Sequence, residues 1–319
     1  MQTYEIGGFT EAVVLVTDPT PHFAAWIDVG GWQLRHASEL DPVLAQAWGC
    51  PGEAGREWLL GHPDCAGGHV RLVQLAQGRR RPQIRADDQC WDSGGIFDLN
   101  VRVPDVEAAA AKLRRLGWHG ATPPHCWNFG ALEVSEWLAK GPDNVRLAVI
   151  ERIAPPLQGF AHMKSMSQVF NSSQIVRDMD QALAFYCDVL GFRSVYRYAV
   201  PALAAGPNVF GLPGSLASQV GLCIEIVHPA GAMEGSIELV TLAGAQGLDM
   251  ASAARPPNTG LAVLRLPVRG IAAFAAHLAA CGVTPEFGPL RTAMAPYGQV
   301  AMLGLRSPDG AWLEFYEPV

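Results

Sequence analysis

Four charged side chains recur at the same place in four apolar stretches, and their types decide which chemistry they could support. Arginine stays charged at all relevant pH values, so Arg71 and Arg146 cannot exchange protons. Carboxylates can: if Glu238 and Glu314 shared one cavity, their joint ionisation would be disfavoured, and the pair could act as acid and base. The four stretches are Val70-Arg71-Leu72, Val145-Arg146-Leu147, Ile237-Glu238-Leu239 and Leu313-Glu314-Phe315.

Aromatic side chains near one of these acids are candidates for substrate contact. Trp312 lies two residues before Glu314 and therefore on the same face of a strand, and Tyr297 lies in the loop before the final hairpin. The histidines show no metal-ligand spacing, and the 34 glycines include no phosphate-binding loop. Seven cysteines, an odd number with no C-x-x-C pair, indicate reduced thiols.

The chain contains four similar segments in an alternating order. Residues 18–32 match residues 178–192 without a gap. Residues 105–118 match residues 270–283. In this second pair the closing glycine comes one residue earlier than in the first pair. Internal similarity in a fixed order marks repeated structural units. The order therefore indicates that a half made of two modules was duplicated as a whole.

Each module predicts the same order of elements. A β-rich run leads into an amphipathic helix that stops at a glycine, where a left-handed cap is sterically free, and further strands follow. The module is therefore predicted as βαβββ. The fold class is α+β, with two tandem domains, each a pair of modules that forms a U-shaped, barrel-like mixed sheet. The predicted domains are 1–154, with modules 8–80 and 93–153, and 160–319, with modules 166–245 and 256–318.

Prolines between the two domains indicate the linker, at residues 154–159. We expect a cut at this linker to give two folded fragments, each with a pair of modules.

Two segments carry a resemblance to a known family. IVRDMDQALAFYCDVLGF at residues 175–192 and SPDGAWLEFYEP at residues 307–318 resemble the vicinal oxygen chelate superfamily of glyoxalases, extradiol ring-cleaving dioxygenases and bleomycin-resistance proteins. The resemblance implies that two modules close around one cavity. It also implies that a metal, when present, is held by the first strand of each module, commonly through His, and by the last strand, commonly through Glu. One such scaffold hosts several chemistries, so the resemblance is specific for fold and weak for reaction.

The family's ligand positions fall on unusual residues in the N-terminal half. The first-strand positions are Glu11 and Asp98, and the last-strand positions are Arg71 and Arg146. Two inward arginines would repel a cation, while the acids could neutralise them in bidentate pairs. We therefore expect these four residues to form a buried charge quartet in place of a metal site. A one-residue shift in strand register, which would point the arginines to solvent, stays open.

The corresponding positions of the C-terminal half are Asn171, Val263, Glu238 and Glu314. Val263 cannot coordinate a metal. Asn171, Glu238 and Glu314 could hold Mg²⁺ or Mn²⁺ rather than iron or zinc, because no imidazole is available. Without a metal, Glu238 and Glu314 would be the catalytic acid and base, with Asn171, Trp312 and Tyr297 contacting substrate. A purely structural role for both acids remains open.

Composition limits the classes of function. The chain of 319 residues is 49% hydrophobic and 17% charged, enough apolar material for two domains. A net charge of -7 and the absence of a basic cluster argue against nucleic acid. With no long apolar run and no signal peptide, we expect a cytoplasmic protein away from membranes, for which a homo-oligomer stays open.

Three functions fit these observations. The first is lyase or isomerase chemistry on a small oxygenated or aromatic metabolite in the C-terminal cavity. The second is ring cleavage like that of extradiol dioxygenases, with an atypical metal site. The third is non-catalytic sequestration of a small molecule, in the manner of bleomycin-resistance proteins.

Overall fold

The computed structural model describes residues 3–76, 81–160 and 163–319; the predicted end of the first module at residue 80 lies outside these ranges. The first half of the chain forms β1 (Glu5–Ile6), β2 (Glu11–Leu15), α1 (Thr20–Phe23), β3 (Gln33–Glu39), α2 (Pro42–Ala47), β4 (Gly55–Gly61), β5 (His69–Leu75), β6 (Asp98–Arg102), α3 (Val106–Arg115), β7 (His119–Gly120), β8 (His125–Phe129), β9 (Leu132–Lys140) and β10 (Arg146–Ala154). The second half forms β11 (Asn171–Ile175), α4 (Met179–Leu183), β12 (Arg193–Val200), α5 (Gly214–Ala217), β13 (Gly221–His228), β14 (Ser236–Ala243), β15 (Gly260–Arg269), α6 (Ile271–Ala280), β16 (Phe287–Ala293), β17 (Gln299–Arg306) and β18 (Trp312–Pro318).

The helices explain why odd and even modules differ by one residue. In the first and third modules, α1 and α4 continue as π-helices, Ala24–Val29 and Ala184–Val189. In the second and fourth modules, α3 and α6 are α-helices of ten residues. A π-turn accommodates one more residue than an α-turn. The alternating order of the repeats is therefore visible in the backbone.

The strands form two sheets of nine strands each. One sheet has the order β16-β17-β18-β15-β2-β5-β4-β3, with β1 beside β15. The other has the order β12-β13-β14-β11-β6-β10-β9-β7, with β8 beside β9. The first sheet thus combines modules one and four, and the second combines modules two and three. We call them the 1+4 sheet and the 2+3 sheet.

This pairing corrects the predicted domain organisation, because the modules of one half do not share a sheet. The first strand of module one, β2, pairs antiparallel with β15 of module four, and β6 of module two pairs with β11 of module three. Each sheet still contains one odd and one even module. The α+β class, the βαβββ modules and the curled sheets are confirmed; the pairing within residues 1–154 and within 160–319 is wrong.

One hydrophobic core joins the two sheets. It includes Val14 and Leu264 from the 1+4 sheet, Leu99 and Leu239 from the 2+3 sheet, and the helices. Backbone bonds also cross between them: Phe9 N donates to Gly235 O at 2.9 Å. The two sheets therefore depend on each other.

The concave face of the 1+4 sheet is packed with its own side chains, which include Val13, Leu15, Trp48, Val73, Val263, Met302, Trp312 and Tyr316.

We predict that residues 1–154 and 160–319, produced separately, will not form two stable monomeric domains. Each fragment lacks the strands that complete its sheets, so apolar faces and strand edges are exposed. Near-ultraviolet circular dichroism and urea unfolding of each fragment, and of their equimolar mixture, test this. Native-like signal should return in the mixture. Cooperative unfolding of either fragment alone as a monomer would contradict the paired topology.

Candidate active site

The concave face of the 1+4 sheet is closed by a buried ion-pair cluster, defined as Glu11, Glu57, Arg71, Arg265 and Glu314. Arg71 binds both carboxylate oxygens of Glu11, at 2.9 and 3.0 Å, and Glu57 at 2.8 Å. Arg265 binds Glu11 and Glu314, each at 2.8 Å. The cluster therefore occupies the place where the resemblance implied a metal.

The charges of this cluster fix the ionisation of Glu11. Burial alone would raise the pKa of its carboxyl, but the guanidinium groups of Arg71 and Arg265 outweigh burial and lower that pKa to about 2. The indole of Trp48 donates to Glu314 at 2.6 Å, and that of Trp312 at 3.3 Å. Glu314 is thus surrounded by donors and packed side chains.

Several predicted site residues lie on the packed face of the 1+4 sheet. Glu314 is a member of the ion-pair cluster, and Trp312 donates to it. Tyr297 packs on Tyr316, with ring centroids 5.2 Å apart, on the same sheet. The predicted catalytic pair of Glu238 and Glu314 is wrong because the two acids lie on different sheets.

The predicted charge quartet is also not formed. Its Glu11 and Arg71 do pair, but Asp98 and Arg146 belong to the 2+3 sheet. Arg146 binds Asp88 at 2.8 Å. Arg265 was not predicted as a site residue. It lies on β15, two residues after the predicted ligand position at Val263, and supplies the second arginine of the ion-pair cluster. An arginine within the apolar run of β15 was the available signal for it.

The 2+3 sheet, by contrast, leaves a cavity of about 100 Å³ over its concave face, which we call the central cavity. Its wall is mostly apolar and aromatic, and includes Phe97, Trp127, Phe129, Phe170, Phe210 and Met233. Phe210 occupies the position that Trp48 has in the first module, by the match of Phe210-Gly-Leu-Pro-Gly214 with Trp48-Gly-Cys-Pro-Gly52. The cavity has room for more than one water molecule but is small for a ligand pocket.

Three carboxyl groups from three strands line this cavity: Asp98 of β6, Glu136 of β9 and Glu238 of β14. Asp98 and Glu136 are buried. Glu238 is partly accessible, and because it lines the cavity we assign that exposure to the cavity interior. Glu136 was not predicted as a site residue, although it interrupts the apolar alternation of Val134 and Leu138 on β9.

Hydrogen bonds position the three carboxyl groups. The backbone N–H of Ser173 donates to Asp98 Oδ1 at 3.1 Å, and the Ser173 hydroxyl donates to Glu238 Oε1 at 3.4 Å. The indole of Trp127 donates to Glu136 Oε2 at 2.9 Å. Ser173 therefore bridges Asp98 and Glu238 from the centre of the sheet.

All three carboxyl groups hold their protons more tightly than usual. Burial raises the pKa of Asp98 to about 6, although Ser173 and two arginines oppose the shift. Burial and then the charge of Asp98 raise the pKa of Glu136 to about 8. Burial, Asp98 and Glu136 together raise the pKa of Glu238 to about 8. At neutral pH the cavity therefore contains both a carboxylate and carboxylic acids.

Two buried amides complete the polar lining. Asn171 and Asn100 are paired across the centre of the sheet. The Oδ1 atoms of both are buried and have no hydrogen-bond partner among the described residues. Asn171 thus lies in the cavity, as the sequence suggested. Buried polar atoms without partners are costly, so a ligand or water that donated to them would be stabilised.

The residues of the cavity do not fit the family's metal site. Within the described ranges, no group of three His, Cys, Asp or Glu side chains is arranged to hold a metal ion. The predicted set of Asn171, Glu238 and Glu314 is not assembled, because Glu314 lies on the other sheet. Asp98 and Glu238 have Ser173 between them.

Comparison with known proteins agrees with this fold. Residues 165–315 match the Glyoxalase/Bleomycin resistance protein/Dioxygenase superfamily. Glyoxalase I from Zea mays is 14% identical, with a TM-score of 0.63 over 99% of this chain and 93% of that one. A putative dioxygenase from Bacillus subtilis subsp. subtilis str. 168 is 11% identical, with a TM-score of 0.58 over 98% and 86%. No curated protein sequence matches the chain.

The family match is therefore shown for residues 165–315, a little less than half of the chain, and the likeness of the rest rests on the fold. At these identities the solved structures show the fold alone. In the part of the chain that the structure describes, no helix is long and apolar enough to cross a membrane.

We predict that Arg265→Met will lower the free energy of unfolding by about 3 to 5 kcal/mol, because it leaves buried carboxylates without their partner. Arg269→Met, on the same strand, is the matched control. Arg269 pairs with Glu5 but both side chains are exposed, so its loss should cost less than about 1 kcal/mol. Urea unfolding measures both. Equal effects would contradict a structural role for the cluster.

We also predict that stability falls as pH rises through 8. A carboxyl with a raised pKa in the folded state contributes stability that is complete below its ordinary pKa and is lost as pH rises through the folded value. Glu238→Gln keeps the neutral form, so its melting temperature relative to the unmodified protein should rise between pH 6 and pH 9, by about 2 °C or more. Glu133→Gln, an exposed change on β9, should show no such trend.

Proposed function

We propose that the protein is an enzyme that binds a small oxygenated or aromatic molecule in the central cavity and transfers a proton on it. The observation that carries the proposal is the convergence of Asp98, Glu136 and Glu238 in one apolar cavity. Asp98 is ionised at neutral pH and can accept a proton, while Glu136 and Glu238 are mostly protonated and can donate. The chemistry is of lyase or isomerase type.

The proposed mechanism uses Asp98 and Glu238 according to their pKa values. A carbonyl oxygen of the substrate accepts a hydrogen bond from Glu238, which draws electrons from the neighbouring carbon. Asp98 removes the proton from that carbon, and the proton is returned elsewhere on the molecule. A carboxylic acid kept neutral by burial is well suited to stabilise the enolate that forms. Ser173 contacts both Asp98 and Glu238 and holds their separation.

Sequestration without catalysis, as expected of a bleomycin-resistance type of protein, is the second candidate. The mostly apolar wall of the cavity favours it, because such a wall binds a ligand without any reaction. Ring cleavage receives no support from the donor set of the cavity. A divalent ion, Mg²⁺ or Mn²⁺, stays a prediction from the sequence, because the described residues assemble no group of three acidic, His or Cys ligands that would support it. A cytoplasmic location remains part of the proposal.

We predict that the protein will exchange protons next to a carbonyl group for deuterium. Small ketones and aldehydes with one aromatic ring, incubated with the protein in D₂O, should lose their α-proton signals in proton NMR spectra. Asp98→Asn and Glu238→Gln should slow the exchange by about 10²-fold or more. Glu133→Gln should leave the rate unchanged.

The same measurement separates the alternatives. Binding of the compounds without any exchange would favour sequestration. Repeating the assay with a chelator, and then with added Mg²⁺ or Mn²⁺, shows whether an ion contributes. Exchange that is unaffected by both Asp98→Asn and Glu238→Gln would contradict the proposed roles.

A further inference from the structure

Two arginines, Arg102 and Arg152, also line the central cavity. Arg102 ends β6, on the same face as Asp98 and Asn100, and Arg152 lies near the end of β10. Alternate residues of a strand share a face and are about 7 Å apart, so Arg102 lies roughly 13 Å along the strand from Asp98. Arg102 is therefore well separated from Asp98 along β6, whereas Glu136 lies level with Arg102, two strands away across Ile150.

These arginines have few acidic partners. Arg102 is buried, and its ion pair is a contact of 3.4 Å with Glu234, whose side chain is 54% exposed. Arg152 forms no ion pair within the described ranges, and its buried Nε has no hydrogen-bond partner there. Burial lowers the pKa of both guanidinium groups, which nevertheless remain charged. The positive charge of Arg102 and Arg152 is thus incompletely neutralised by acidic groups of the described residues.

Packing holds Arg102 in place. Its guanidinium lies over the ring of Phe170, 3.7 Å from the centroid, and over that of Phe160 at 4.5 Å. A guanidinium fixed between aromatic rings is pre-organised, so it loses little freedom when it binds a planar anion. Glu234 can move into solvent when a stronger anion arrives.

We propose, on the basis of the function proposed above, that the substrate is a small monocarboxylate with an apolar, single-ring body. Its carboxylate is bound by Arg102 and Arg152, and the reacting carbonyl lies toward Asp98 and Glu238. Arg–carboxylate bonds are short, charge-assisted and often bidentate, which gives both affinity and orientation. The volume of about 100 Å³ limits the body to one ring. The aromatic wall accounts for the preference for a ring over a sugar or an amino acid.

Neutral isosteres test this inference. We expect benzoate, phenylacetate or 3-phenylpropionate to bind at least about tenfold more tightly than the matching amide, as measured by isothermal titration calorimetry at pH 7. Arg152→Met should remove that preference. Arg193→Met, an exposed arginine on β12 of the same sheet, is the matched control and should keep it.

A second variant guards against misfolding. Arg102→Met removes a side chain that packs on two rings, so Arg102→Lys is used beside it; Lys keeps the charge but loses the bidentate geometry. Arg102→Lys should weaken binding of the carboxylates and leave binding of the amides unchanged.

The outcomes separate this inference from the function on which it rests. Amides that bind as tightly as carboxylates, or an Arg152→Met variant with an intact preference, would overturn the carboxylate assignment and leave proton transfer by Asp98 standing. Tighter binding of phenyl phosphate than of every carboxylate would overturn it as well. Carboxylate binding that depends on Arg152, without any proton exchange, would support the ligand class while the proposed reaction failed.

Discussion

Antiparallel pairing of first strands is the interaction on which the rest of the structure depends. A single βαβββ module has half of a curled sheet, with an open edge at its first strand. The pairing of β2 with β15 and of β6 with β11 closes that edge. It also decides which side chains share a concave face, since residues opposite each other across this pair lie side by side. The choice of partner strand therefore decides which charged side chains of the interior meet on one face.

The two sheets differ most at equivalent positions of this central pair. In the 1+4 sheet, Glu11 lies opposite Arg265. In the 2+3 sheet, Asn171 lies opposite Asn100. The first combination is an ion pair that draws further charged partners inward and fills its concave face. The second is a pair of neutral amides with unpaired oxygens among the described residues, and that face keeps a cavity.

The difference has an energetic basis. Two guanidinium groups require buried acids around them, because an unpaired charge in a dry interior is costly. Glu11, Glu57 and Glu314 supply these acids, and Trp48 fills the remaining space while donating to Glu314. Neutral amides impose no such requirement. The smaller Phe210 at the position of Trp48 then leaves room above the 2+3 sheet, so one sheet is stabilised as a closed structure and the other retains a binding site.

Much of the fold could be predicted from the sequence because it depends on local patterns. The glycine-terminated helices, the strand runs and the one-residue difference between modules all appear in the sequence, and the π-helices account for that difference. The partner of each module could not be predicted in the same way. That partner is set by contacts between residues far apart in the chain, such as Glu11 and Arg265, which are 254 positions apart.

The wrong partner is also why the candidate site was only partly predicted. Asn171 and Glu238 lie in the cavity as expected, because their own strands were read correctly. Glu314, Trp312 and Tyr297 were attached to the wrong sheet, and Asp98 moved from a supposed salt bridge to the centre of the site. Glu136 and Arg265 were not predicted, although each is a charged residue in an apolar strand. A charged residue in an apolar strand indicates a buried charge. Its partners depend on which strands are paired, and the sequence does not show that pairing.

The distribution of charge along the central cavity connects stability with the proposed reaction. At neutral pH the cavity has one carboxylate, Asp98, beside two protonated acids, and two arginines also line it. Removing a second proton from these acids would place two negative charges in a buried, mostly apolar cavity, which is why the pKa values of Glu136 and Glu238 are high. Glu136 and Glu238, which are costly to ionise in this cavity, are therefore the groups able to donate a proton to a bound molecule. A substrate carbonyl that accepts a hydrogen bond from Glu238 would use that acidity, and when Asp98 takes up the proton its negative charge passes to the enolate, so the interior gains no net charge.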